Sequence, residues 1–172
     1  MRVIRLKRFE SVTDDTLDGI KRHSWGPWKP ADKVKFGIPR TYEGQAVAIS
    51  DQVAGLSHDI EDILVGWRES EHNLSKLRTG FARKLQEVGN SVSYSEAEQL
   101  VDRILPSNAD GLPGRARAQR LGAILGDVVS ASLRRLNRDN PRGRVDRARQ
   151  VPLCTSAKMG WRLQACEEYI EE

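Results

Sequence analysis

Tyr42-Glu43-Gly44-Gln45-Ala46-Val47-Ala48-Ile49-Ser50-Asp51-Gln52-Val53-Ala54-Gly55-Leu56-Ser57-His58-Asp59-Ile60-Glu61-Asp62 is the stretch that decides the fold. Ala46, Ile49, Val53, Leu56 and Ile60 recur at steps of three and four, and Ile63 and Trp67 continue the series. At ~100° per residue these positions form one stripe, the signature of an amphipathic helix with one face against a core. Asp51, Gly55, His58 and Asp62 fall on the opposite side, with Asp59 at its margin. The reading is a helix from Tyr42 to Trp67, apolar inward and acidic outward.

The same period extends in both directions. Thr13 can cap a short helix with Asp14 and Asp15 in its first turn and Lys21, Arg22 and His23 in its last, the charge order that the helix dipole favours. Leu17 and Ile20 are its expected inward pair. Ser24 to Arg40 holds Gly26, Pro27, Pro30, Gly37 and Pro39 and must be a loop. Trp25 and Trp28 in it either anchor the loop to the core or offer a stacking surface. A third helix is expected from Glu69 to Val88 on Leu74, Leu77, Phe81, Leu85 and Val88, and a fourth, boxed by Ser95 and Glu98, through Leu100, Val101 and Ile104. After the turn-rich Ser107 to Gly114, a fifth should run to about Asn140, with Leu121, Ile124, Leu125, Val128, Val129, Leu133 and Leu136 inward. Thr155 or Ser156 can cap a last helix through Trp161, Leu163, Cys166, Tyr169 and Ile170. Val3 to Leu6 is the one strand candidate. The expected fold class is all-α, a bundle of about six helices forming one domain over 1–172, with 1–12 as an N-terminal tail.

Composition narrows the function classes. With 38% apolar and 30% charged residues, no stretch approaches the ~18 apolar residues of a spanning helix, so no membrane partner is expected. Two cysteines, Cys154 and Cys166, are too few for a disulfide framework and suit a reducing, cytoplasmic setting. The net charge of +4 comes largely from arginines between Arg115 and Arg149, including Arg120 and Arg135. They read equally as a polyanion surface, for single-stranded DNA or a nucleotide triphosphate, and as a solvated helix face with a basic loop.

Carboxylates and an imidazole on one helix face are raw material for a divalent-metal site, although taken bare such a face is more often simply solvated and acidic. The longer string from Thr41 to Asp62 resembles the late helix of the bacterial HD-superfamily deoxynucleoside triphosphate triphosphohydrolases, the dGTPase-like family. There the pattern is Glu-Gly/Ala-Gln, then Ala-Asp-Asp-Ile-Ala-Tyr, then His-Asp-Ile-Glu/Asp-Asp. Leu17-Asp18-Gly19-Ile20-Lys21-Arg22-His23-Ser24 and Arg120 to Val129 resemble flanking blocks of that family, in family order.

The resemblance implies an all-α HD-type fold of which this chain is the C-terminal half, with 13–67 in the catalytic region and 68–172 as a C-terminal helical region. It implies water attack on the α-phosphorus of a deoxynucleoside triphosphate, releasing nucleoside and tripolyphosphate. The cofactor implied is a divalent metal (Mg, Mn or another transition metal). By position, Asp51 takes the place of a metal ligand and Asp59 that of a nucleotide contact, while Gly55 stands where the family has a substrate-facing tyrosine. His58, Lys21 and His23 are further substrate-side candidates, and Arg120 and Arg135 candidates for phosphate. The family's upstream histidine and His-Asp ligands have no counterpart here, so the metal site is expected to be incomplete in this chain alone. A complementing N-terminal half or a homo-oligomer would then be a partner. The alternatives are a non-catalytic nucleotide- or single-stranded-DNA-binding module, or a helical oligomerisation protein.

Overall fold

The computed structural model describes residues 12–67, 71–89, 92–102 and 113–171. The described residues form an all-α bundle of six helices, α1 (Asp14–Lys21), α2 (Tyr42–Trp67), α3 (Glu71–Gly89), α4 (Tyr94–Asp102), α5 (Pro113–Asp139) and α6 (Ala157–Glu171), with two single turns of 3-10 helix at Ala31–Lys33 and Val145–Arg147. No strand occurs among the described residues, and the Val3 to Leu6 candidate lies outside them. None of the described helices is long and apolar enough to cross a membrane.

Helix α2 is the hub: it packs on α1, α3, α5 and α6, while α3 packs on α4 and α6. Ile49, Val53, Leu56 and Ile60 are buried as the stripe requires, joined by Leu77, Phe81 and Leu85 of α3 and Leu163 and Cys166 of α6. Ala46, expected in the stripe, is exposed, and Ala48 is buried in its place. Trp25 and Trp28 are both buried, so the Ser24 to Arg40 loop is pinned to the core and the stacking-surface reading falls. Burial pushes the Cys166 thiol well above its ordinary pKa, with the Glu167 charge adding to the effect, so it behaves as a small apolar group.

Cap chemistry sets the helix starts. Thr16 N–H donates to Thr13 Oγ1 at 3.2 Å, and Met159 N–H to Ser156 Oγ at 3.3 Å. Helix α4 is capped by Ser93, which accepts from Glu96 N–H at 3.2 Å, rather than by Ser95. The expected Ser95–Glu98 box is therefore displaced by two residues, and Glu96 instead pairs with Lys158 of α6 at 2.7 Å.

Two apolar assignments are overturned. Leu17 and Ile20 of α1 face solvent, because α1 meets α2 through glycine: a Cβ at Gly19 would stand only 3.6 Å from Gly44 Cα. That close backbone approach puts Gly19, not the leucine, at the contact. On α5, Ile124 and Val128 are buried and Leu121 packs on the core, but Leu125, Val129 and Leu133 are exposed. Helix α5 buries one sector against α2, and this row lies beyond it.

The segment between α5 and α6 is held by polar groups of α2. Buried Gln45 donates through Nε2 to Pro39 O (3.1 Å) and Ala148 O (2.8 Å) and accepts from Leu153 N–H (2.9 Å). Tyr42 OH donates to Val151 O at 3.1 Å and accepts from Asn140 Nδ2 at 2.9 Å. A second tie is Asp18, which accepts from Arg22 Nε (2.7 Å), Arg40 N–H (2.7 Å) and Arg149 Nη2 (3.1 Å).

Candidate functional site

The outward face of α2 is flanked by two hollows that share one wall residue, Asp51. Asp51 is i, Gly55 i+4, His58 i+7 and Asp59 i+8, so a single α2 face presents all four, and each lines the first hollow, of about 410 Å³. Its other walls include Lys29 from the tryptophan-pinned loop and Glu167 and Ile170 from α6. Lys29 donates to Gln52 Oε1 and lies 3.4 Å from Glu167, which fixes the ammonium at the rim. The hollow therefore mixes three carboxylates with one fixed ammonium and one imidazole. A Cβ built on Gly55 meets nothing within 4 Å, so the place where the resemblance puts a tyrosine ring is open space.

The second hollow, of about 790 Å³, lies between α1, the start of α2 and the Val145–Arg147 turn. Ile20, Val47 and Val145 give it apolar walls, and Asp15, Glu43, Asp51 and His23 stand at its edge. His23 Nδ1 lies 2.8 Å from Ile20 O; a carbonyl can only accept, so Nδ1 carries the proton and Nε2 is the nitrogen left for a ligand.

Asp51, Gly55, His58 and Asp59 are thus brought together, and His23 joins Asp51 in the neighbouring hollow. The other three candidates stand apart. Lys21 Nζ lies over the Phe36 ring at 5.4 Å and lines neither hollow. Arg120 is buried with its Nη2 3.2 Å from Glu61 Oε1, holding α5 to α2. Arg135 is half-buried, 4.0 Å from Asp139. In the arginine-rich region Arg138, Arg144 and Arg149 each face a carboxylate, of Asp139, Asp146 and Asp18, which thins the basic surface read from charge alone. Lys29 is the rim residue that sequence reasoning missed. Its signal was the loop's two tryptophans, which hold the neighbouring lysine in place.

Among the described residues no group of three or more His, Cys, Asp or Glu side chains stands close enough to hold a metal ion. Asp51 by itself offers one carboxylate, and useful divalent-metal affinity needs three or four donors acting together. The residues described do not make a complete metal centre.

No protein-family model and no solved structure matches the chain. A deoxyguanosinetriphosphate triphosphohydrolase-like protein of Caldanaerobacter subterraneus subsp. tengcongensis is 41% identical over 56 residues, covering 33% of this chain and 14% of that protein. The chain is similar to part of a dGTPase-like protein, and the match spans about a seventh of that relative's length.

Proposed function

We propose that this chain is the nucleotide-facing part of a dGTPase-like deoxynucleoside triphosphate triphosphohydrolase, with residues 13–67 in the catalytic region and 68–172 as a helical region behind it. The observation that carries the reading is the gathering of Asp51, Gly55, His58 and Asp59 around one hollow with a fixed lysine, together with the similarity to a triphosphohydrolase-like protein. Lys29 and His58 would neutralise phosphate oxygens, the ammonium as a point charge and the imidazole as a donor. The Asp59 carboxylate, an acceptor only, would take a hydrogen bond from a sugar hydroxyl. Asp51 would be one ligand of a divalent cation whose remaining ligands come from another segment or chain. When bound, such a cation supplies charge neutralisation and an acidified water.

Nucleotide titration followed by amide NMR tests the reading. Deoxynucleoside triphosphates should shift resonances around Asp51–Asp59, and Asp59→Asn should weaken binding about tenfold, the loss of one charge-assisted hydrogen bond. Lys29→Ala should weaken triphosphate binding while leaving nucleoside binding unchanged. With Mn²⁺ added, the chain alone should release no tripolyphosphate. Shifts that avoid the α2 face, or no binding at all, would remove the proposal. Robust turnover by the chain alone would overturn the argument that its metal set is incomplete.

A further inference from the structure

Gly55 leaves a gap in the α2 wall of the smaller hollow, of about 410 Å³. It is exposed, and a Cβ built on it meets nothing within 4 Å. The backbone does not call for glycine here. Gly55 lies inside a regular helix, where glycine is the poorest helix former after proline, and the positive φ angles belong to Gly37 and Gly143. Nor does packing call for it, as it does where Gly19 meets Gly44. Gly122 and Gly126 of α5 are equally open, but neither lines either hollow. What Gly55 provides is room beside the site, where a ligand can approach the backbone closely.

One turn further along the same face stands Asp59, also exposed and also a wall of this hollow. Its carboxylate makes no hydrogen bond or ion pair with the described residues. A helical side chain leans toward the helix N-terminus and covers the turn before its own Cα. The Asp59 carboxylate therefore leans over the turn that holds Gly55, the two Cβ positions being about 5–6 Å apart. A sugar hydroxyl that donates to this carboxylate brings the furanose ring over the glycine. In a ribose the 2′ and 3′ hydroxyls are neighbours on one side of the ring, and a carboxylate has two oxygens to accept from both. Acidic side chains hold the 2′-hydroxyl of ribose in this way in dinucleotide sites.

We infer that Gly55 sets the sugar specificity of this hollow by admitting a 2′-hydroxyl, so that ribonucleoside triphosphates bind at least as tightly as their deoxy counterparts. The inference rests on the nucleotide reading proposed above and widens its substrate class from deoxynucleotides to ribonucleotides. The second hydroxyl gains a partner in the second oxygen of Asp59 and meets no side chain at position 55.

Matched pairs isolate that one oxygen. ATP against dATP, and GTP against dGTP, share base and triphosphate, so a difference in Kd within a pair comes from the sugar. In amide NMR titrations of the full chain, the ribo form should bind equally or up to about tenfold more tightly, the gain of one hydrogen bond to a carboxylate. Gly55→Tyr fills the gap and should reverse the order, weakening the ribo form at least about tenfold relative to the deoxy form, which gains contact with the ring. Circular dichroism checks that the variant keeps its helix content, and the wild-type pairs test the inference independently of it. A wild-type Kd more than about twofold higher for the ribo form than for the deoxy form would overturn the inference and leave the nucleotide reading intact. So would a folded Gly55→Tyr variant that changes both members of a pair alike. If no nucleotide shifts the Asp51–Asp59 resonances, the nucleotide reading and this inference fall together.

Discussion

Replacing Asp18 with Asn tests the tie that holds the far wall of the larger hollow. The Asp18 carboxylate is 9% exposed and accepts from Arg22, from the Arg40 backbone and from Arg149, joining α1, the proline-rich loop and the segment after α5. Burial by itself would raise its pKa. The hydrogen bonds from Arg22 and from Arg40 N–H, with the charges of Arg22 and Arg149, more than offset that and leave it below the ordinary aspartate value. Hydrogen bonds to a charged group contribute about 1.5–3 kcal/mol each, and asparagine keeps the shape but loses the charge and one acceptor. Arg149 is nearly half exposed, so its share is small. The expected total for Asp18→Asn is about 2 kcal/mol at neutral pH. A group whose folded pKa is depressed gives stability that is present above its unfolded pKa, near 3.9, and lost as pH falls through the folded value. The urea midpoints of wild type and variant should therefore differ fully at pH 7 and converge below about pH 4. A difference that persists unchanged at pH 3, or none at pH 7, would refute the assignment of Asp18 as an ionised clasp.

Two further outcomes follow from named contacts. Gly55→Tyr places a ring in open space on a helix face, so it should leave stability unchanged or raise it by up to about 1 kcal/mol, and on the proposed function it should tighten nucleotide binding in the same NMR titration. Arg120→Met takes the buried cation away from the part-buried Glu61 and should cost about 3 kcal/mol in urea unfolding. Adding Glu61→Gln should recover part of that loss; a double variant no more stable than the single would show that the pair is not what holds α5 to α2 there.

Helix α2 was legible because its apolar stripe meets neighbours over Ile49, Val53, Leu56 and Ile60, where hydropathy and burial coincide. Helices α1 and α5 were legible as helices but not in orientation. Leu17 and Ile20 signal an inward face only if the contact is made by side chains, and Gly19 against Gly44 makes it with backbone, which has no hydropathy. In α5 the apolar arc is wider than one packing partner can cover, so sequence could not say that Leu125, Val129 and Leu133 would be left outside. The cluster of Asp51, Gly55, His58 and Asp59 follows from helical spacing. Lys29, separated from Gln52 by 23 positions in the chain, depends on where the loop between them returns, and local periodicity does not carry that information.

The amide of Gln45 has a mechanical meaning beyond satisfying three backbone groups. It lies six residues before Asp51 on the same rigid rod, and its grip on Ala148 and Leu153 leaves that stretch no independent path. Any tilt or slide of the rod on loading one hollow must either drag the Val145 wall of the other along with it or rupture those bonds. One side chain thereby ties the helix that carries Asp51 to the turn that walls the larger hollow.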